Sequence, residues 1–164
     1  MRLRRQPSAL GRPLNFTVRP HLMALPYRIC ARVGPGFIDL GSGRFHQLQR
    51  GKAPPFGEGF RYVLVENALA EFLRATGVEG VRFEEAVLID PWTDEEFTTH
   101  TCLRIDECIQ DIRSLTHDRP RMWMVGDLNY FVSPTLKQIL EKTRWVSYLR
   151  FSDLSDFMGS GSAV

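Results

Sequence analysis

LVENALAEFLRATGVEGVRF, Leu64 to Phe83, and FVSPTLKQILEKTRWVSYLRF, Phe131 to Phe151, lie over one another with one extra residue in the second. Val65 meets Val132, Leu69 meets Leu136, Leu73 meets Leu140 and Thr76 meets Thr143; past the extra residue, Val81, Arg82 and Phe83 meet Leu149, Arg150 and Phe151. In each stretch apolar residues fall at i, i+3 and i+4 (Leu69, Phe72, Leu73; Leu136, Ile139, Leu140), which puts them on one face of a short helix and leaves Lys137 on the other. Asn67 is the expected N-cap of the first helix; Ser133 with Pro134 supplies an N-cap and a first-turn proline for the second. Strand-like runs precede each helix (Tyr62 to Val65, Tyr130 to Val132) and follow it (Val81 with Phe83, Leu149 with Phe151). The expected fold is α/β (α+β): a single domain with a mixed sheet and two repeated strand-helix-strand units, right-handed if the two strands of each unit are parallel in one sheet.

Between these units, Val87 to Ile89 reads as an extension of the strand at Val81, and Asp90, Pro91 and Asp94 mark a turn around Trp92. Thr98 to Ile105 alternates as a polar strand. Asp106 is placed to cap a short helix running to Ser114, with Ile105, Cys108, Ile109 and Ile112 at helical spacing. Arg121 to Val125 is a strand, turned at Gly126 and Asp127 into Asn129 to Val132.

The chain has 164 residues, the size of one domain, and its 43% hydrophobic content with 11 Phe supports one core. Its net charge of +2 hides a division. Residues 1–38 hold seven arginines and no acid, whereas residues 39–164 hold 14 bases against 19 acids, a net of −5. The body therefore repels nucleic acid and attracts basic partners. Residues 1–22 lack the uninterrupted apolar run of a secretory signal, and Pro7, Pro13 and Pro20 interrupt the amphipathic helix of an organellar transit peptide. They read as a disordered basic leader, or as the product of a start placed upstream of Met23. The domain is expected over 23–158, and the glycine-rich residues 159–164 as a loose tail. No run approaches the 18 apolar residues of a membrane helix. Cys30, Cys102 and Cys108 make no CxxC pair, which suits a reducing cytoplasm.

No residue set announces chemistry. His100, Cys102, Cys108 and His117 match no zinc spacing, and Cys102 and Cys108 read as buried small apolar residues. Gly34, Gly36, Gly41 and Gly43 lack the Lys-Ser/Thr or the GxGxxG of phosphate loops and, with Pro35, read as turns between short strands. The acids Glu84, Glu85, Asp94, Glu95, Glu96, Asp153 and Asp156 read as solvated surface rather than as a catalytic pair. No catalytic residue, metal or cofactor is expected, so the chain reads as a binding protein. The patch singled out for a basic partner is Trp92 with Asp94, Glu95 and Glu96, where an aromatic anchor adjoins steering charges.

At YFVSPTLKQILEKTRWVSYLRFSDL (Tyr130 to Leu154) the chain resembles the closing segment of bacterial immunity proteins of polymorphic toxin systems, the eleventh numbered family, with the forty-third as a near alternative. Gly80, Val81, Arg82 and Phe83 resemble the same device. PYRI (Pro26 to Ile29) and CLRIDECIQDIRS (Cys102 to Ser114) sit where those proteins have an opening strand and a central strand with a short helix. The chain departs from the pattern at Arg144 and Trp145, where a glycine turn is usual. The resemblance implies binding and neutralisation of a cognate toxin protein in the cytoplasm, and transfers no catalytic residue. The alternative readings are a small enzyme whose site is not written in motifs and a protein-interaction module unrelated to toxins, the first favoured by a deep pocket with a buried, shifted carboxylate or His.

Overall fold

The computed structural model describes residues 25–33, 36–109 and 118–154. The leader 1–22, Met23, Gly34, Pro35, the helix expected beyond residue 109, His117, Asp156 and the tail from 159 lie outside them. In order come β1 (Tyr27–Ala31), β2 (Phe37–Gly41), β3 (Arg44–Gln47), β4 (Phe56–Gly59), β5 (Tyr62–Glu66), α1 (Asn67–Ala75), β6 (Val81–Glu85), β7 (Val87–Ile89), β8 (Glu96–Phe97), β9 (His100–Ile105), β10 (Cys108–Ile109), β11 (Met122–Val125), β12 (Asn129–Val132), α2 (Pro134–Glu141), a 3-10 turn (Arg144–Tyr148) and β13 (Leu149–Ser152). The fold is a single α+β domain with mixed sheets. No helix among the described residues is long and apolar enough to cross a membrane.

The strands form three sheets, ordered β4-β5-β9-β6, β10-β11-β12-β1-β13 and β2-β3-β7-β8. The first lies between the other two. Val63, Val65, Leu103 and Ile105 turn one way, into a core shared with Ile29, Met122, Met124, Tyr130 and Val132 of the second sheet and with Leu69, Leu73, Leu136 and Leu140 of the helices. Tyr62, Leu64 and Cys102 turn the other way, against Phe37, Phe45 and Leu88 of the third sheet. A strand covered on both faces needs apolar residues at consecutive positions rather than alternation, which is how YVLV of β5 is written. The same holds for β9, five of whose six residues are buried, in place of the polar strand expected there.

β5 and β6 flank α1 in sequence and both pair antiparallel with β9, which lies between them. β12 and β13 flank α2 and pair antiparallel with β1 in the same way. In neither unit are the two strands neighbours, since a third strand from elsewhere in the chain separates them.

Five local expectations are corrected. Val87 to Ile89 does not extend β6: the chain changes sheet at buried Ala86, and β7 pairs with β3 and β8. Asp106 caps no helix at its start; its carboxylate pairs with Arg82, and Cys108 and Ile109 instead form a strand parallel to β11. Cys102 is buried but Cys108 is exposed. Asn67 is the first residue of α1 rather than its cap, and its side chain donates to the Thr98 carbonyl and accepts from Thr101 Oγ1. At α2 the cap is as read, with Ser133 Oγ accepting from the Leu136 amide at 3.2 Å and Pro134 in the first turn. Lys137 is not a free surface residue: its ammonium is 2.7 Å from Glu141 and 4.6 Å from the centre of the Tyr27 ring. Gly80 has φ +80°, and a Cβ there would run into the Met122 carbonyl, so glycine permits the close approach of this loop to β11.

Candidate binding surface

β7 and β8 form a short hairpin, with Leu88 opposite Phe97 and Ile89 opposite Glu96. Its connection is fixed by its own sequence. Asp90 Oδ1 accepts from the Trp92 amide at 2.9 Å, and the Asp90 carbonyl accepts from the Asp94 amide at 2.8 Å. Asp94 sits at φ +57°, a left-handed conformation that Asp adopts more readily than most residues. The Asp90 amide closes the loop on the Glu95 carbonyl at 3.0 Å. Every residue from 91 to 99 is exposed.

Trp92, Asp94, Glu95 and Glu96 are therefore brought together, but they are not equivalent. Trp92 is 44% exposed, with the Arg50 guanidinium 5.4 Å from its ring centre. Asp94 and Glu95 make no ion pair among the described residues, whereas Glu96 is held by Arg44 at 2.5 Å. Two of the three acids thus lack an ion-pair partner among the described residues, and the third is partly spent within the fold. Elsewhere most carboxylates of the described residues are paired: Glu84 with Arg82 and Arg104, Asp39 with Arg104, Glu79 with Arg119 and Arg121. The hairpin tip is where negative charge and an exposed aromatic coincide.

No family model, curated protein or solved structure matches the chain.

At the base of the hairpin lies a second feature that sequence reading missed. A cleft of about 360 Å³ is lined by Gln47, Lys52, Ala53, Glu66, Leu88, Phe97, Thr99 and His100. Lys52, Ala53 and Glu66 also line a neighbouring groove of about 570 Å³, walled by Pro54, Pro55, Arg144, Trp145 and Tyr148. His100 ties the wall together. A carbonyl only accepts, so the 2.9 Å contact between His100 Nε2 and the Pro54 carbonyl puts a proton on Nε2; neutral Nδ1 then accepts from Thr99 Oγ1 at 3.0 Å. Burial pushes the His100 pKa below its ordinary 6.5 against the opposing pull of Pro54 and Glu66, which favours this neutral form. Glu66 Oε1 accepts from Trp145 Nε1 at 2.5 Å and from Arg144 Nη2 at 3.1 Å. Both groups that acid-base chemistry would use are thus committed to structure. Burial also raises the Cys102 thiol to about 11, which keeps it protonated. Among the described residues no three His, Cys, Asp or Glu side chains are grouped to hold a metal ion. The signal for the cleft lay in Glu66, a lone acid closing an apolar strand, and in the Pro54-Pro55 pair, but neither names its spatial partners.

Proposed function

We propose that this chain is a binding protein without catalysis of its own, and that it captures a basic protein partner on the 90–99 hairpin. The observation that carries this reading is the tip itself: exposed Trp92 beside Asp94 and Glu95, two acids with no ion pair among the described residues, on a domain whose residues 23–158 hold 16 bases against 19 acids, a net of −3. An aromatic anchor supplies buried area on association, and free charges of one sign steer a partner of the other. The resemblance of Tyr130 to Leu154 and of Gly80 to Phe83 to immunity proteins makes a toxin the class of partner, neutralised in the cytoplasm of the cell that makes both. Enzymes that attack nucleic acids need basic surfaces, and such a surface is what the hairpin complements. The test is co-expression of the chain with each protein encoded beside its gene. One of these proteins should arrest growth alone, cease to do so with this chain, and co-purify with it. Absence of a growth-arresting neighbour, or arrest that persists in the presence of the chain, overturns the immunity reading.

A further inference from the structure

We infer that the paired cleft beneath the hairpin is a binding site for a carboxylate carrying an apolar or aromatic group. The site is separate from the hairpin tip, and the inference does not rest on the toxin reading. Lys52 lines both chambers and makes no ion pair among the described residues. The adjoining Glu66 would repel an anion if its charge were free, but its carboxylate accepts from both the Arg144 guanidinium and the Trp145 indole. With His100 neutral, the three charged groups of the wall, Lys52, Arg144 and Glu66, sum to one positive charge, and Lys52 holds it.

The rest of the smaller chamber is apolar or already satisfied. Leu88, Phe97 and Ala53 supply hydrocarbon. Gln47 Nε2 is spent on the carbonyls of Gln49 and Gly51, and both His100 nitrogens are engaged. A neutral polar ligand therefore finds few unsatisfied groups, and a cation meets an ammonium. An apolar body against Phe97 and Leu88 with an anionic head toward Lys52 matches both features. The volumes lie in the range of small-molecule sites. The His100–Pro54 and Gln47 contacts hold the 48–55 segment that carries Lys52, so the site is formed before ligand arrives.

Two sources share this chemistry: a free small acid, and a peptide ending in an aromatic residue. We would titrate the intact chain with 3-phenylpropionate and with the tripeptide Gly-Gly-Phe, following backbone amides by NMR, and compare each with its neutral amide. For fragments of this size saturation is expected on the order of 1–10 mM, with the amides of Lys52, Ala53, Phe97, Thr99 and His100 moving together. The neutral amides should bind about tenfold more weakly, as should the acids to Lys52→Gln, while Lys52→Arg restores binding. Lys52 is exposed, so these variants keep the fold, which an unchanged melting curve checks. The tighter of the two acids identifies the source. Overturning results are the absence of saturable shifts at these residues with either acid, or equal binding of acids and amides, or indifference to Lys52→Gln.

Discussion

Glu66 is the residue on which the cleft wall depends. Among the described residues its Oε1 is the one acceptor for the buried Trp145 indole N–H, and it also holds Arg144. Glu66→Ala should cost about 1–3 kcal/mol by leaving that donor unpaired, whereas Glu66→Gln, which keeps an acceptor oxygen, should cost less; denaturant midpoints of the two variants measure the difference. Equal losses would mean that the charge, rather than the acceptor, matters. His100 makes a separate prediction. Its folded pKa lies below the unfolded 6.5, so as pH falls the unfolded chain takes up a proton before the folded chain does. The stability from neutral His100 is present above about pH 6.5 and is lost progressively below it, down to the folded pKa. Between about pH 8 and about pH 5 the wild type should lose more stability than His100→Gln, whose amide can still donate to Pro54. Equal losses would show that His100 titrates alike in both states.

At the scale of elements, the two helices rest on the leucines that the i, i+3, i+4 spacing named. Leu73 and Leu140 are each 3% exposed, and Leu69 and Leu136 are more deeply buried. Leu73→Ala and Leu140→Ala should each cost about 2–5 kcal/mol in chemical denaturation. The exposed comparison is Gln138→Ala, expected within about 0.5 kcal/mol of wild type. Lys137 would mislead as a control, because it lies over Tyr27 and pairs with Glu141. A Leu140→Ala loss no larger than that of Gln138→Ala would mean that the buried face of α2 is misassigned. These elements were legible because their signals are local: helical spacing, the Ser133-Pro134 start, the runs at Tyr62 and Tyr130. What was not legible is non-local. Val87 to Ile89 reads as a continuation of β6 because nothing in those residues says that a partner strand, Arg44 to Gln47, lies in another sheet. Cys108 and Ile109 carry helical spacing yet pair with Met124 and Val125, an outcome decided by the edge of β11 and not by propensity.

For the whole molecule the question is how a domain of net charge −3 over residues 23–158 meets its partner, and there the paired and unpaired acids part company. The hairpin residues Trp92, Asp94, Glu95 and Glu96 read from sequence as one acidic-aromatic patch, and they are neighbours on one turn, but nothing in residues 52 positions apart announces the ion pair of Glu96 with Arg44. Changing Glu96 would break that pair and set Arg44 free, so any altered rate would mix steering with local rearrangement. The informative variant is Asp94→Asn with Glu95→Gln. Asn tolerates the left-handed backbone at Asp94, where a lysine would add strain, and both changes remove charge with little change of shape. Two uncompensated charges then disappear from the tip while Trp92, its turn and the Arg44–Glu96 pair persist. With a basic partner, association of the double variant should be slower by about two- to tenfold at low salt, and the gap should narrow once added salt shortens the screening length to about 3 Å near 1 M. Dissociation should change little, since charges at an exposed rim act mainly on encounter. Trp92→Ala should do the reverse, leaving the association rate nearly intact and accelerating dissociation, because an anchor acts after contact is made. Stopped-flow or surface-based kinetics at two salt concentrations separate these behaviours. An association rate unchanged by the double variant at both salts takes the acids out of the interface, and a dissociation rate unchanged by Trp92→Ala takes the hairpin tip out with them.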